Sequence, residues 1–294
     1  MDFIAIEYFF NAHQRLFWLY ILASFLIAFG YILYKREPLS RYFNAQIWWH
    51  DSAKTDYIYF VVVTIIKAAV IVPLVLSSKE VALFTAVTLQ EFLGYFSPLD
   101  WSREAIMVTF SLTLFIVSDL TRYWLHRLMH TIPFLWRFHR VHHSAEVLNP
   151  LTFYRVHPVE NFLFGLRYAL SAGVVTGLFI YVFGARIGLV EIVGVNLFVF
   201  IFAMMGSNLR HSHIPLRFPK LMEQWLISPY MHQVHHSKEG TNHNFGGALA
   251  IWDRLFKSLH VSEVKTLDFG INIKHNSAWE LLSEPLKIKK GNMI

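Results

Sequence analysis

The strongest constraint on this chain is a set of apolar runs too long for the core helices of a soluble domain. A helix needs about 20 mostly apolar residues to cross the hydrocarbon of a bilayer. Runs at 16–34, 57–76, 105–125, 162–183 and 187–206 meet that length. With 55% hydrophobic and only 16% charged residues, the chain falls well below the roughly 25% charge of an ordinary soluble domain. Lys35 and Arg36 follow the first run, an order that fits a retained membrane helix and not a cleaved signal. A sixth stretch, 81–97, is interrupted by Gln90, Glu91 and Gly94 and is expected to lie in the interface or re-enter.

Runs 162–183 and 187–206 are separated only by Gly184, Ala185 and Arg186, so they are expected to form a tight antiparallel hairpin. A chain that crosses and crosses back returns to the side it left. Residues 126–160 and 207–294 therefore share one face. Arg127, Arg137, Arg140, Arg155, Arg210, Arg217 and Lys220 fall there, and the excess of basic residues assigns that face to the cytoplasm. The loop 35–56, with Arg36, Arg41 and Lys54, joins it provided that 81–97 does not cross. The net charge of +6 is spread without basic blocks, which suits an anionic membrane face and not nucleic acid. Cysteine is absent, so disulfides and thiolate metal ligands are excluded.

Sixteen histidines remain to be explained. Most fall into four segments: His126-Arg-Leu-Met-His130, His139-Arg-Val-His142-His143, Arg210-His211-Ser212-His213 and His232-Gln-Val-His235-His236. On a helix, residues i and i+4 lie on one face, so His126 and His130 can address one ion from consecutive turns. In H-x-x-H-H the three rings fall within an arc of about 100°, more imidazoles than one ion usually takes from one helix. Two such helices facing each other suit a two-metal site. A lone histidine is usually an ordinary polar residue. At this histidine frequency one H-x-x-H-H arises by chance in about one chain in twenty, and two beside an H-x-x-x-H far less often. Imidazole suits iron, zinc, copper or nickel, and a closed zinc site wants only four ligands.

The spacing, with its surroundings, resembles the fatty acid hydroxylase / sterol desaturase superfamily of integral-membrane di-iron oxygenases. Asp119-Leu-Thr-Arg-Tyr-Trp-Leu-His126-Arg is similar to that family's entry into its first box. His142-His143-Ser-Ala-Glu-Val-Leu-Asn149 and Arg155-Val-His157-Pro-Val-Glu160 are similar to the stretch after its second. Asn244-Phe-Gly and Trp252-Asp-Arg-Leu-Phe256 are similar to its tail. The resemblance spans roughly 105–259 and implies His126, His130, His139, His142, His143, His211, His232, His235 and His236 as ligands of two iron ions, with zinc able to substitute in a purified sample. Some members carry a further histidine where this chain has Ser207; His157, His213 and His243 are the available substitutes. The family uses dioxygen and electrons from a separate carrier. No His-Pro-Gly-Gly segment marks a fused haem domain here, so the expected reductant is another protein, and neither haem nor flavin is expected.

The expected fold is an all-α integral membrane protein: transmembrane hairpins capped by a cytoplasmic helical region that holds a histidine-rich di-metal site. It reads as one domain, 1–294, with membrane helices in 1–104, a catalytic core in 105–260 and a tail in 261–294. The expected activity is hydroxylation or desaturation of an alkyl position of a lipid. Breaking an unactivated C–H bond lies beyond side-chain acids and bases and needs a metal-activated oxidant. Ligand rings need partners on their outer nitrogens. Asp119, Asn149, His157, His213 and Asn244 are candidates for that shell, together with Glu146, Glu160 and Asp253. Asp119 lies in a membrane helix, where a lone carboxylate costs about 3 kcal/mol, and is expected to pair with Arg122 or Arg127. A membrane metal carrier or bis-histidine haem protein is the competing class, but haem takes two axial histidines and carriers place ligands within their spans. A membrane zinc hydrolase lacks its H-E-x-x-H.

Overall fold

Within lipid every backbone N–H must find its partner inside the chain, so apolar runs become helices. In the computed structural model, which describes residues 4–271 and 277–287, four stretches are long and apolar enough to cross a membrane: Trp18–Lys35, Asp51–Leu93, Arg103–Thr131 and Pro158–Phe183. After the short α1 (Ile4–Phe10), α2 (Trp18–Lys35) is the first of them. It ends on Arg36 in the left-handed conformation. A one-turn α3 (Ala45–Trp48) leads into the second.

That second stretch is a broken helix. α4 (Asp51–Ile66) passes through a π turn, Lys67–Ile71, into α5 (Val72–Leu74), and the chain is extended at Val75. Pro73 supplies no N–H, and helix resumes as α6 (Ser78–Leu93) through a capping box between Ser77 and Glu80. Residues 81–97 therefore do not form an interfacial or re-entrant segment. α6 continues the passage begun by α4 and runs parallel to α9 (Pro158–Phe183): Val75 lies against Gly165, Val81 against Gly173 and Thr85 against Gly177. The Tyr181 hydroxyl then reaches Gly94 O at 3.0 Å. Glycine spacing permits this approach, since a Cβ on Gly177 would stand 2.5 Å from Ala82 O.

α7 (Arg103–Thr131) starts at Ser102, whose hydroxyl accepts Ala105 N–H, and runs antiparallel to α9. Ile106, Phe110 and Leu114 pack on Ala172, Val175, Phe179 and Phe183. After α9 the chain does not form the expected second helix of a hairpin. Residues 187–206 hold a two-stranded ribbon, β1 (Glu191–Ile192) and β2 (Val195–Asn196), and then the eight-residue α10 (Leu197–Met204). Ser111 ties this largely exposed ribbon to α7: its hydroxyl accepts Val190 N–H at 2.7 Å and its carbonyl accepts Asn196 Nδ2–H at 2.9 Å. With the two strands paired to each other and Val190 N–H satisfied by α7, an apolar run need not be helical throughout. The chain still returns to the end from which α9 departed, where a 3₁₀ turn, Ser207–His211, meets the remaining short helices.

Those helices are α8 (Pro133–His143), α11 (Pro229–His236), α12 (Ile251–Leu255) and α13 (Ala278–Ser283). α13 belongs to the expected tail, of which 272–276 and 288–294 lie outside the described residues. It folds back over the cap: Leu281 packs with Tyr59, Val63 and Val141, and Glu284 pairs with Arg140 at 2.6 Å. The loop 35–56 is at this end too, since Tyr42 packs with Ile32, Leu209 and Ile214.

Candidate metal centre

Two consecutive helices supply the first rings. α7 ends at Thr131, and Pro133, with no N–H to lose, opens α8. This sharp turn folds His139, His142 and His143 back over His126 and His130. The Ser207–His211 turn adds His211. α11, capped by Ser228 accepting Met231 N–H, adds His232, His235 and His236. All nine predicted histidines converge. They divide into His126, His130, His139, His143 and His235 on one side and His142, His211, His232 and His236 on the other, each set offering nitrogens within 4.8 Å of one another. The i, i+4 pairs His139/His143 and His232/His236 stay together, while the i+3 residue of each box, His142 or His235, crosses to the other set.

The rings meet through their Nε2 atoms. Separations are 3.1 Å for His126–His139, 3.1 Å for His126–His235 and 3.2 Å for His139–His143 in the first set. In the second they are 3.1 Å for His211–His236, 3.2 Å for His232–His236 and 3.4 Å for His142–His211. Neutral imidazole has one N–H, and His126, His139 and His235 of the first set already donate theirs from Nδ1, so their inward nitrogens face one another as acceptors. Two nitrogens each about 2.1 Å from one ion and at right angles lie about 3.0 Å apart, so these spacings fit a metal. The Nε2 of His130 is buried without a partner among the described residues, as a nitrogen awaiting a cation would be. The sets adjoin: the His143 ring of the first stands 4.6 Å from the His236 ring of the second.

Three outer nitrogens are held. His126 Nδ1–H donates to Phe245 O at 2.8 Å, His139 Nδ1–H to Glu160 Oε1 at 2.8 Å and His235 Nδ1–H to His243 O at 2.7 Å. Burial pushes the His139 and His142 imidazoles down to about 3. It also pushes those of His143, His211, His232, His235 and His236 well below their usual range. These rings are therefore neutral at physiological pH, the form that binds a cation.

The outer shell differs in part from expectation. Asp119 makes no ion pair with Arg122 or Arg127. Its carboxylate accepts Ala248 N–H at 2.7 Å, Leu249 N–H at 2.9 Å and Trp252 Nε1–H at 3.0 Å, while Arg127 donates to Tyr123 Oη and Phe256 O. Asp253 accepts Phe245 N–H and Gly246 N–H, so two aspartates clamp the loop whose carbonyl orients His126. Asn244, at a positive φ of 56°, bonds Met231 O and His260. Of the spare histidines, none joins either set among the described residues. His157 caps α9 and donates to Leu282 O; His213 Nε2 accepts Leu148 N–H at 3.2 Å; His243 contributes its carbonyl. Glu146 faces His50 at 3.8 Å.

Asn149 bonds not a ligand but Asp56, at 2.9 Å. Asp56 was no candidate on sequence, yet it also accepts Thr152 Oγ1–H at 2.7 Å and Arg155 Nε–H at 2.5 Å, fully buried. Arg155 in turn donates to Ser52 and Ser144, tying the loop after the second box to α4. The available signal was a carboxylate at the mouth of an apolar run facing an arginine about a hundred residues on.

A cap of converging histidines on membrane-spanning helices defines a class, and sequence comparison gives it a family. The fatty acid hydroxylase family model matches residues 111–258, half of the chain, and the protein belongs to that family. Ornithine lipid hydroxylase OlsE of Rhizobium tropici is 29% identical over 185 residues, 62% of this chain and 50% of that protein. Alkylglycerol monooxygenase of Danio rerio is 28% identical over 144 residues, 48% of this chain and 28% of its own length. Human lathosterol oxidase is 25% identical over 183 residues, 59% and 54%. The chain thus spans about half the length, or less, of these curated relatives. No solved structure matches it.

Proposed function

We propose that the protein is a membrane-bound di-iron oxygenase that hydroxylates, or desaturates, an alkyl position of a lipid, using dioxygen and electrons from a separate electron-transfer protein. The supporting observation is the meeting of nine Nε2-directed imidazoles in two adjoining sets. His126, His130, His139, His143 and His235 would hold one ion, and His142, His211, His232 and His236 the other. When bound, the metal pair supplies the oxidising power that side chains lack. The chain holds the rings neutral by burial, sets three of them through Phe245, Glu160 and His243, and packs the Phe245 ring against His130 and His126. Lipid relatives and the position of the cap at the helix ends favour a lipid that enters from the bilayer. Arg36, Arg41, Lys54, Arg137 and Arg217 at this end favour the cytoplasmic face. Residues 105–260 serve as the catalytic core and 1–104 as its membrane support. A haem carrier is disfavoured by the crosswise sharing of both boxes, which leaves no isolated pair of facing rings.

Metal analysis of anaerobically purified protein tests the reading, with two ions per chain expected and one or none refuting it. Comparative lipid mass spectrometry of cells with and without the protein should show a gain of one oxygen or a loss of two hydrogens. His139→Ala or His235→Ala should abolish it.

A further inference from the structure

One turn toward the membrane from the centre, Arg122 precedes His126 by four residues on the same face of α7. An ionised residue inside a spanning helix is costly without a partner. Nevertheless, no group among the described residues accepts a hydrogen bond from this guanidinium, and no carboxylate lies within 4.0 Å of it. It stands 5.7 Å over the Phe164 ring, and its nitrogens keep accessible surface although the residue is largely covered. Of the two nearby acids, Asp119 is engaged by the Ala248 and Leu249 N–H groups and the Trp252 side chain, and Glu160 through Oε1 by His139, while Glu160 Oε2 is buried without a partner among the described residues. Gly247 leaves room for the side chain, since a Cβ there would come within 2.8 Å of Arg122 Cδ.

Arg122 lies within electrostatic reach of Asp119 and Glu160, which attract it, and of three more arginines, which repel it. Arg210 donates to Gly247 O and Ile227 O, and Arg167 to Ser118 and Thr121. Arg15 donates to Ser207 O at 3.2 Å and lies 4.5 Å over the Phe153 ring, which itself packs on His211 at 5.9 Å. Four guanidinium charges thus face two carboxylates beside the candidate metal ligands, and of these four arginines only Arg122 has all its donors free among the described residues. A planar fork of free N–H groups in a positive, weakly solvated setting suits an oxyanion.

Resting on the oxygenase reading, we propose that Arg122 binds the carboxylate or phosphate of an anionic lipid substrate. The carbon presented to the metal centre then lies near the polar end of the lipid and not at its distant methyl end.

The test is equilibrium binding of radiolabelled palmitate, hexadecyl phosphate and hexadecan-1-ol to the purified full-length protein in detergent, with metal content measured for every variant. At least one anionic probe should bind the wild type about tenfold or more tighter than the alcohol, the worth of one charge-assisted contact. Arg122→Gln should erase that preference without weakening alcohol binding, and Arg122→Lys should restore part of it. Equal affinities in the wild type, or an anion preference that survives Arg122→Gln, would overturn the proposal. So would a parallel loss for all three probes, which marks a structural role. Displacement of the anionic probe by millimolar inorganic phosphate alone would assign the site to a free anion and also defeat it. Because binding is read without turnover, an Arg122-dependent preference in a chain that holds no metal pair would refute the oxygenase reading and leave this subsite standing.

Discussion

Replacing Asp119 by Asn probes how the centre is held from below. The carboxylate accepts three N–H groups, Ala248 on Oδ1 and Leu249 and Trp252 on Oδ2. An amide can keep the Oδ2 pair, but its NH₂ then confronts Ala248 N–H. One charge-assisted bond is lost, about 1.5–3 kcal/mol, and a buried donor is stranded at about 1–3 kcal/mol. The expected cost is about 3–5 kcal/mol. Arg122→Gln removes no hydrogen bond and should stay within about 1 kcal/mol. Thermal unfolding in detergent, followed by tryptophan fluorescence, separates the two. At roughly 2 °C per kcal/mol for a chain of this size, the Asn variant should melt about 6–10 °C below wild type. Asp119→Asn combined with Trp252→Phe should be less than additive by about 1 kcal/mol, whereas the Arg122 combination should add. Equal melting losses for Asp119→Asn and Arg122→Gln, with no further loss in the double variant, would restore an Asp119–Arg122 ion pair and refute the clamp.

Three further outcomes are expected. Glu160→Ala frees the His139 ring and should lower metal retention about 10–100-fold in competition with a chelator; unchanged retention removes Glu160 as its orienter. Asp56→Ala leaves Arg155 buried and unpaired and should cost about 3–5 kcal/mol, against less than 1 kcal/mol if the network is incidental, again read by melting. Burial holds the His213 imidazole down to about 4, below its unfolded value near 6.5. The unfolded chain therefore binds more protons in that window, and stability present above pH 6.5 is lost as pH falls toward 4. Lowering pH from 7.5 to 5 should cost about 2 kcal/mol through this group, and His213→Gln should remove that increment from the acid loss of melting temperature.

The histidine centre is legible in sequence because its rule is local. Spacings of three and four residues put rings on one helix face, and convergence follows once two faces meet. Which ring serves which set is not local. The crosswise division depends on how α8 and α11 are rotated against each other, which no spacing encodes. The 187–206 run misleads because hydropathy registers only apolarity. Gly188, Glu191, Gly194 and Asn196 break it, and Ser111 of a different helix anchors the ribbon through the Val190 N–H and the Asn196 side-chain amide. Asp119 misleads in the opposite way. Its nearest charges in sequence are arginines, whereas its partners lie about 130 residues away and are mostly backbone, invisible to residue-type reasoning. Asp56 escapes for the same reason of distance.

The division of each H-x-x-H-H box between both sets has a consequence for assembly. Neither helix can be adjusted to suit one half of the centre alone, because any rotation that tightens two rings on one side withdraws the third from the other. If the proposed pair of ions binds, occupying one half fixes both helices and leaves only the Ser207–His211 turn, or α7, to be set for the other, so half-filled protein should be scarce and filling should be cooperative.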